Sequence, residues 1–264
     1  MGIVAQIVAG IRNQKMTQIT KWLGGIGLAF SMVSVSVADA VKPSEQLTPE
    51  QSVQLAEIDS ILRSHPQIIA DLNQSLKGYV AQLERTEKAL EDQREWLTKA
   101  PEHSKAGSDN PKLTIINFTD YNCPYCKRLE IGLAKLLTEV KDVQVVNVYV
   151  PLQQQIASGT NTNSAFYALK VWEKEPEKFA EVHRQLVAHP TRHDVDSLNR
   201  IAKDTGTEKY LETGEREQSI VSKNMQAFGE LGLRGTPAII INDEIVPGFI
   251  PYAQLKETVD KALN

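Results

Sequence analysis

Phe118-Thr119-Asp120-Tyr121-Asn122-Cys123-Pro124-Tyr125-Cys126-Lys127 carries the only two cysteines of this 264-residue chain, and its reading decides the fold. Upstream, Leu113–Phe118 is a short, β-branched run that is apolar on both faces, as expected of a strand buried in the middle of a sheet. Downstream, residues 126–140 place Leu129, Leu133, Leu136, Leu137 and Val140 on one face of a helix, and residues 143–150 repeat the buried-strand pattern. Strand, helix and strand in succession make a β-α-β unit, which crosses over right-handed.

Two cysteines three apart in a first helical turn hold their Cα atoms roughly 5 Å apart, inside the ~4.4–6.8 Å that a disulfide requires. So small a loop restrains the unfolded chain little, so exchange explains the pair better than stabilisation, although a structural disulfide stays open. Cys123 stands where the strand ends and the helix begins. Its sulfur there faces unsatisfied N–H groups and the positive end of the helix dipole, which favour thiolate over thiol. In such motifs the thiol pKa falls from ~8.5 into the ~3.5–7.5 range, which makes Cys123 the better leaving group. Pro124 fits a first turn, where no N–H bond is lost. Cys126, one turn deeper, is expected to be shielded and to act as the resolving thiol.

A metal site is the competing reading. Structural zinc needs four ligands, and His65, His103, His183, His189 and His193 show no ligand-like spacing to the pair. Pro190 breaks the helix that would align His189 with His193. Two thiolates also suit two-coordinate Cu(I), which stays open as an alternative. No cofactor is expected.

Working toward the N-terminus, Pro101–Pro111 is polar and rich in breakers and reads as a linker. Before it, Thr48-Pro49-Glu50-Gln51 has the pattern of a capping box, which predicts one helix over about 49–64, and Pro66 separates it from a second over about 66–98. Leu55, Leu62, Ile69, Leu76, Leu83, Leu90 and Leu97 recur every seven residues; the companion row is apolar at Ile58, Leu72 and Tyr79 but not at His65, Thr86 and Gln93. Such a seam on an otherwise polar helix suits a second copy of itself, so residues 41–100 read as an arm for homo-oligomerisation. The alternative is that the arm folds back on its own domain. Residues 1–40 read as an export signal, with Lys15 and Lys21 before the weakly charged stretch 22–37 and Ala38-Asp39-Ala40 at the cleavage point. Cleavage after Ala40 is expected, and Met16 offers a second start; the apolar stretch is short against the roughly 20 residues of a membrane-spanning helix.

Toward the C-terminus, residues 163–230 read as helical with breaks at Pro176, Pro190 and Gly206. Ala238–Ile241 and Glu244–Val246 read as a hairpin turned at Asn242-Asp243, and Tyr252–Leu263 as a closing helix. The formal charge is −4, and −6 once residues 1–40 are set aside. That balance argues against nucleic acid or another polyanion as a partner.

With Cys123-Pro124-Tyr125-Cys126 after a buried strand and Gly235-Thr236-Pro237 before a terminal hairpin, the chain resembles the DsbA-like branch of the thioredoxin superfamily. The blocks Phe118–Lys127 and Leu231–Ala238, with Val246-Pro247-Gly248 after them, look most like its ScsC and Com1 subgroup. The resemblance covers residues 112–264, and ScsC-like proteins also carry helical N-terminal arms. It implies an α/β, thioredoxin-like fold with an inserted helical domain at about 158–230, preceded by a helical arm. It implies a periplasmic thiol-disulfide oxidoreductase or isomerase that acts through Cys123 and Cys126 on exported proteins containing cysteines and is recharged by a membrane redox partner. Pro124 and Tyr125 are then neighbours of the reactive sulfurs. The resemblance also makes the Thr236–Pro237 bond cis and sets it against the cysteine pair, so that Thr236 and Pro237 bind the substrate backbone. From the residues alone Pro237 is an ordinary turn proline, since cis X-Pro bonds make up about 5–6% in folded proteins.

Two departures from the family pattern stand out. Many relatives place a buried Glu on the first strand to handle protons, where this chain has Asn117, which cannot accept one; Asp120, nearer the helix start, reads as its cap. Tyr125 stands where the strongest oxidants have His, so a less extreme oxidising potential is expected. An oligomer whose active sites share one cavity favours isomerisation, and the reading leans toward isomerase or reductase over oxidase. A binding protein that retains the fold, whether a Cu(I) carrier or an envelope interaction module, is the alternative of another class.

Overall fold

The computed structural model describes residues 47–153 and 156–264; the export signal expected over residues 1–40 lies outside them. The chain divides after Ile61 into two units, each described by itself. In the first, α1 (Pro49–Ser64, running past the division) starts with the expected capping box: Thr48 Oγ1 accepts the Gln51 N–H at 3.1 Å and Gln51 Oε1 accepts the Thr48 N–H at 2.8 Å. Val53, Leu55, Ile58 and Ile61 are exposed along it.

The second unit runs α2 (Ile69–Lys99), β1 (Ser104–Gly107), β2 (Leu113–Thr119), α3 (Pro124–Glu139), β3 (Val143–Tyr149), α4 (Ser164–Lys174), α5 (Pro176–Ala188), α6 (Val195–Thr205), α7 (Glu215–Glu230), β4 (Ala238–Ile241), β5 (Glu244–Pro247) and α8 (Tyr252–Leu263). The strands form one sheet in the order β1-β3-β2-β4-β5, with β2 and β3 parallel and every other pairing antiparallel. Alternate residues of a strand face opposite sides. Ile115, Val145 and Ile239 pack beneath α3 and α8, whereas Ile116, Val148 and Ile240 pack beneath α2 and α7. The β4–β5 turn holds Asn242 at φ 50° and Asp243 at φ 67°, the left-handed pair that a tight two-residue hairpin needs.

Two sequence expectations are corrected. The segment read as a linker contains β1, whose Ser104–Gly107 pair with Gln144–Asn147 of β3. Its polar residues are accommodated individually: Ser104 Oγ meets the buried Tyr149 hydroxyl at 2.8 Å, and His103 is buried edge-on against Trp96, ring centroids 4.8 Å apart. Gly107, at φ +101°, lets the backbone come so close that a Cβ would stand 2.3 Å from the Val143 carbonyl oxygen. Helices α4–α7 lie within the stretch 158–230 where the helical insertion is expected. Helices α4–α6 share one core with Ile220 and Val221 of α7, whose far end turns Ala227 and Phe228 onto the sheet.

The seven-residue seam also divides. Leu90 and Leu97 are buried in the sheet-side core, and Trp96 Nε1 donates to Asn224 Oδ1 of α7 at 3.1 Å. Ile69, Leu76, Tyr79 and Leu83 are exposed. The fold-back reading therefore holds for the end of α2 that carries Leu90 and Leu97, while the row from Ile69 to Leu83 stays exposed. Leu97 is fully buried, so Leu97→Ala is expected to destabilise the protein by about 2–5 kcal/mol. The check is the urea midpoint, and an unchanged midpoint would mean that this end of α2 is not docked.

Candidate active site

Strand β2 ends at Thr119, and the chain turns through Asp120–Cys123 into α3. Cys123 is the N-cap of that helix in an extended conformation, and Pro124 occupies its first position. Asp120 does not cap the helix, as expected from sequence, but fixes the turn before it. Its Oδ1 accepts the Asn122 N–H and its Oδ2 the Gln153 N–H, both at 2.8 Å, and its carbonyl accepts the Cys123 N–H at 2.9 Å. Burial raises the Asp120 carboxyl above the usual range. The insertion clamps the same turn: Asn122 Oδ1 accepts the His193 N–H at 2.7 Å, and Lys127 Nζ donates to the carbonyls of His189 and Thr191. The break at Pro190 does not keep His189 from His193, whose rings stand 4.6 Å apart.

Both cysteines are free thiols, Cys123 at 4% exposure and Cys126 at 1%. The Cys123 thiol is lowered to about 6. The Cys126 thiol beside it contributes most, burial opposes, and the backbone N–H groups of Cys126 and Tyr125 and the Thr236 hydroxyl add to the lowering. Cys126 is pushed far above the ordinary thiol range, chiefly by burial and then by Cys123. One sulfur of the pair is ionised near neutrality and the other is held protonated.

The Thr236–Pro237 peptide bond is cis, and Cys123 Sγ lies 3.3 Å from the Thr236 carbonyl oxygen. A groove of about 580 Å³ opens beside this bond, between Gln82 and Thr86 of α2 and the Leu233–Pro237 segment. On the outside of the pair, Tyr125 and Phe249 are exposed with ring centroids 6.3 Å apart, and the Arg128 guanidinium lies 5.5 Å from the Tyr125 ring centre. The structure thus brings all the sequence-nominated site residues, Cys123, Pro124, Tyr125, Cys126, Thr236 and Pro237, into one region.

Sequence reasoning missed the buried polar network beneath α3. Asn117 Nδ2 donates to Glu130 Oε1 at 2.8 Å and to Asn147 Oδ1 at 2.9 Å. Glu130 Oε2 lies 3.6 Å from His183 Nε2. From His183 Nδ1 the contacts run to Tyr121 OH at 2.7 Å, Tyr149 OH at 2.9 Å and Ser104 Oγ at 2.8 Å, and return through Asn147 Nδ2 at 3.4 Å. Burial raises the Tyr121 and Tyr149 hydroxyls, keeping both neutral. The available signal was Glu130 itself, a charge among Leu129, Leu133 and Leu136.

A family model described as Thioredoxin matches residues 98–261, more than half of the chain. The chain belongs to this thioredoxin family. It is 26% identical over 172 residues to Disulfide bond formation protein D of Bacillus subtilis strain 168, covering 60% of this chain and 76% of that protein. A linker-deletion variant of Proteus mirabilis ScsC superposes with a TM-score of 0.65 at 28% identity, over 83% of this chain and 98% of that one. A periplasmic thioredoxin-like protein from Salmonella enterica serovar Typhimurium gives 0.60 at 32% identity, over 64% of this chain and 95% of that one. This thioredoxin-family member is a thiol-disulfide oxidoreductase of the DsbA and ScsC type, with the fold that the resemblance implies.

Proposed function

We propose that the protein exchanges disulfides with exported proteins in the cell envelope through Cys123-Pro124-Tyr125-Cys126, and that it works as an isomerase or reductase rather than as an oxidase. The observation that carries this reading is the asymmetry of the pair: Cys123 stands at a helix N-cap with its thiol lowered to about 6, and Cys126 is shielded behind it with its thiol pushed up. Cys123 attacks a substrate disulfide and forms a mixed disulfide. Cys126 then attacks Cys123 Sγ and releases the substrate thiolate, or the substrate's own thiol does so and leaves rearranged. Thr236 and Pro237 hold the extended substrate backbone beside the sulfur, and the groove along α2 continues that surface.

The exposed seam supports the isomerase preference. Ile69, Leu76, Tyr79 and Leu83 are exposed along the free stretch of α2, as Leu55 and Ile58 are on α1, and a seven-residue apolar row on a polar helix suits another copy of this chain. The export signal expected over residues 1–40 and the periplasmic Salmonella relative favour the envelope as the location.

The test combines solution mass, reduction potential and reactivation of scrambled ribonuclease. The expected results are an oligomer, a potential more reducing than the roughly −120 mV of DsbA, and reactivation. Replacing both Ile69 and Leu76 by Lys is expected to yield monomers that still reduce insulin but lose ribonuclease reactivation. A wild-type monomer that oxidises reduced ribonuclease and leaves the scrambled form untouched overturns the isomerase preference.

A further inference from the structure

Three arginines stand around the cysteine pair, each held by a different part of the fold. Arg128, on α3, has its guanidinium 5.5 Å from the centre of the Tyr125 ring. Arg192, between α5 and α6, donates to Gln153 Oε1 at 3.0 Å, and the Gln153 N–H is held in turn by Asp120 Oδ2, so this cation sits beside the turn that leads into Cys123. Arg234 lies two residues before Thr236 and is the only charged one among the described residues that line the groove beside the cis bond. All three are exposed, and none forms an ion pair among the described residues. We infer that Arg128, Arg192 and Arg234 select substrate segments that carry Asp or Glu beside the disulfide-bonded cysteine. The inference rests on the exchange reading given above.

The chain beyond residue 40 carries a net charge of −6, so an unpaired positive rim around its reactive sulfur runs against the average. The carboxylates nearby are committed elsewhere. Asp120 is buried with both oxygens on backbone N–H groups, Glu130 is buried against Asn117, and Asp194 caps α6, accepting the Ser197 N–H at 2.8 Å. Lys127, the other cation on this turn, is spent on the carbonyls of His189 and Thr191. On the α2 wall of the groove the facing side chains are the neutral Gln82 and Thr86, bonded to each other at 3.2 Å; Glu84 and Glu87 of the same helix do not line it. Arg85 donates to Gln82 Oε1 at 3.4 Å and adds a fourth cation at that edge.

Carboxylates beside a cysteine disfavour its thiolate and repel an anionic attacker. A disulfide in such a setting is a slow partner for a bare thiolate, and a positive rim around the attacker reverses the sign. In an extended segment laid along Thr236, alternate side chains face the same way at intervals of about 6.8 Å, so the residues two before and two after the cysteine fall on either side of the sulfur. Cations spread over three parts of the fold suit carboxylates spread along a chain better than one compact anion, and each guanidinium can take a carboxylate through two parallel hydrogen bonds. The reaction itself is unchanged. The Cys123 thiolate attacks the substrate disulfide, a Cys123–substrate bond forms, and the other sulfur departs with the electron pair.

The test uses three peptides, each with its single cysteine activated as a 2-pyridyl disulfide and with Glu, Gln or Lys at both positions two residues away. Attack by Cys123 on the peptide sulfur expels 2-thiopyridone, which is uncharged once it takes up a proton, and stopped flow reads its release by the reduced protein. At an ionic strength of about 0.01 M the Glu peptide is expected to react about tenfold or more faster than the Gln peptide, and the Lys peptide more slowly than either. At about 1 M, where the Debye length has shrunk from about 30 Å to about 3 Å, the preference should vanish. In the triple variant Arg128→Gln, Arg192→Gln, Arg234→Gln it should vanish at low salt as well; the ratio of Glu to Gln rates cancels any change in the reactivity of Cys123 itself. Equal rates for the Glu and Gln peptides with the wild type, or a Glu preference that survives in the triple variant, overturn the inference alone. So does binding to phosphatidylglycerol vesicles that the triple variant loses, in the absence of any peptide preference, since it assigns the rim to a membrane surface. A reduced wild-type protein that releases no thiopyridone from any peptide overturns the exchange reading and this inference together.

Discussion

Cys123→Ala is expected to reduce insulin reduction to the uncatalysed background, while Cys126→Ala keeps the first step and accumulates mixed disulfides with protein substrates. The reasoning is the division of labour set by α3. With its thiol lowered to about 6, Cys123 is about nine-tenths ionised at pH 7, and thiolate is the attacking species. Burial keeps Cys126 protonated until a bond must be broken next to it. Removing the first cysteine removes the nucleophile, and removing the second removes the exit. Turbidity assays and mass spectrometry of the trapped adducts read the two outcomes separately. Wild-type turnover in Cys123→Ala, or no adduct in Cys126→Ala, would refute the assignment.

Acid is expected to destabilise the fold by several kcal/mol between pH 6.5 and about 4. Two histidines are responsible. His103, buried beneath Trp96, is lowered to about 4, by burial first and then by Lys105, with Lys223 adding to the effect. His193, whose Nε2 donates to the Leu186 carbonyl at 2.9 Å, is lowered to about 4, by burial first, with Lys127 and His189 adding to it. In the unfolded chain each binds a proton near 6.5, so below that pH the unfolded state carries more protons and gains stability at the expense of the native state. The native advantage, complete above pH 6.5, is lost as pH falls to about 4, at about 1.4 kcal/mol per unit per histidine and about 3 kcal/mol each in total. Asp120, raised by burial, works the opposite way, one group against two. Urea unfolding from pH 7.5 to 4 checks this, and His103→Phe should remove roughly half of the dependence. A flat profile in the wild type would mean that neither imidazole is buried as described.

Much of the fold was legible because its signals are local. The buried strands 113–118 and 143–150, the turn at Asn242-Asp243 and the closing helix 252–263 all follow from residue pattern, and the structure places them within a residue or two of those bounds. The redox motif was legible because its chemistry lies within one helical turn. The cis bond at Pro237 came from the resemblance, because residue type alone favours trans. Strand β1 was not legible: four residues, Ser104–Gly107, hold an edge through contacts to Tyr149 and Val143 that lie some forty positions away. Glu130 was hidden for the same reason. Its partners Asn117 and His183 sit on a strand and on an inserted helix, and no spacing in the sequence couples the three. The heptad row was ambiguous in principle, since the same periodicity suits a sheet-side core at Leu90 and Leu97 and a copy of itself at Leu76 and Leu83.

That division of α2 has a geometrical consequence. From Ile69 to Gln82, the first α2 residue to line the groove beside Pro237, the helix advances about 20 Å. The stretch acts as a ruler whose length is independent of the chemistry at its far end. Inserting seven residues there would extend it by about 10 Å and return every apolar side chain to within about 20° of its original bearing, so the length of the arm can be altered in measured steps while the sulfurs and their helix stay untouched.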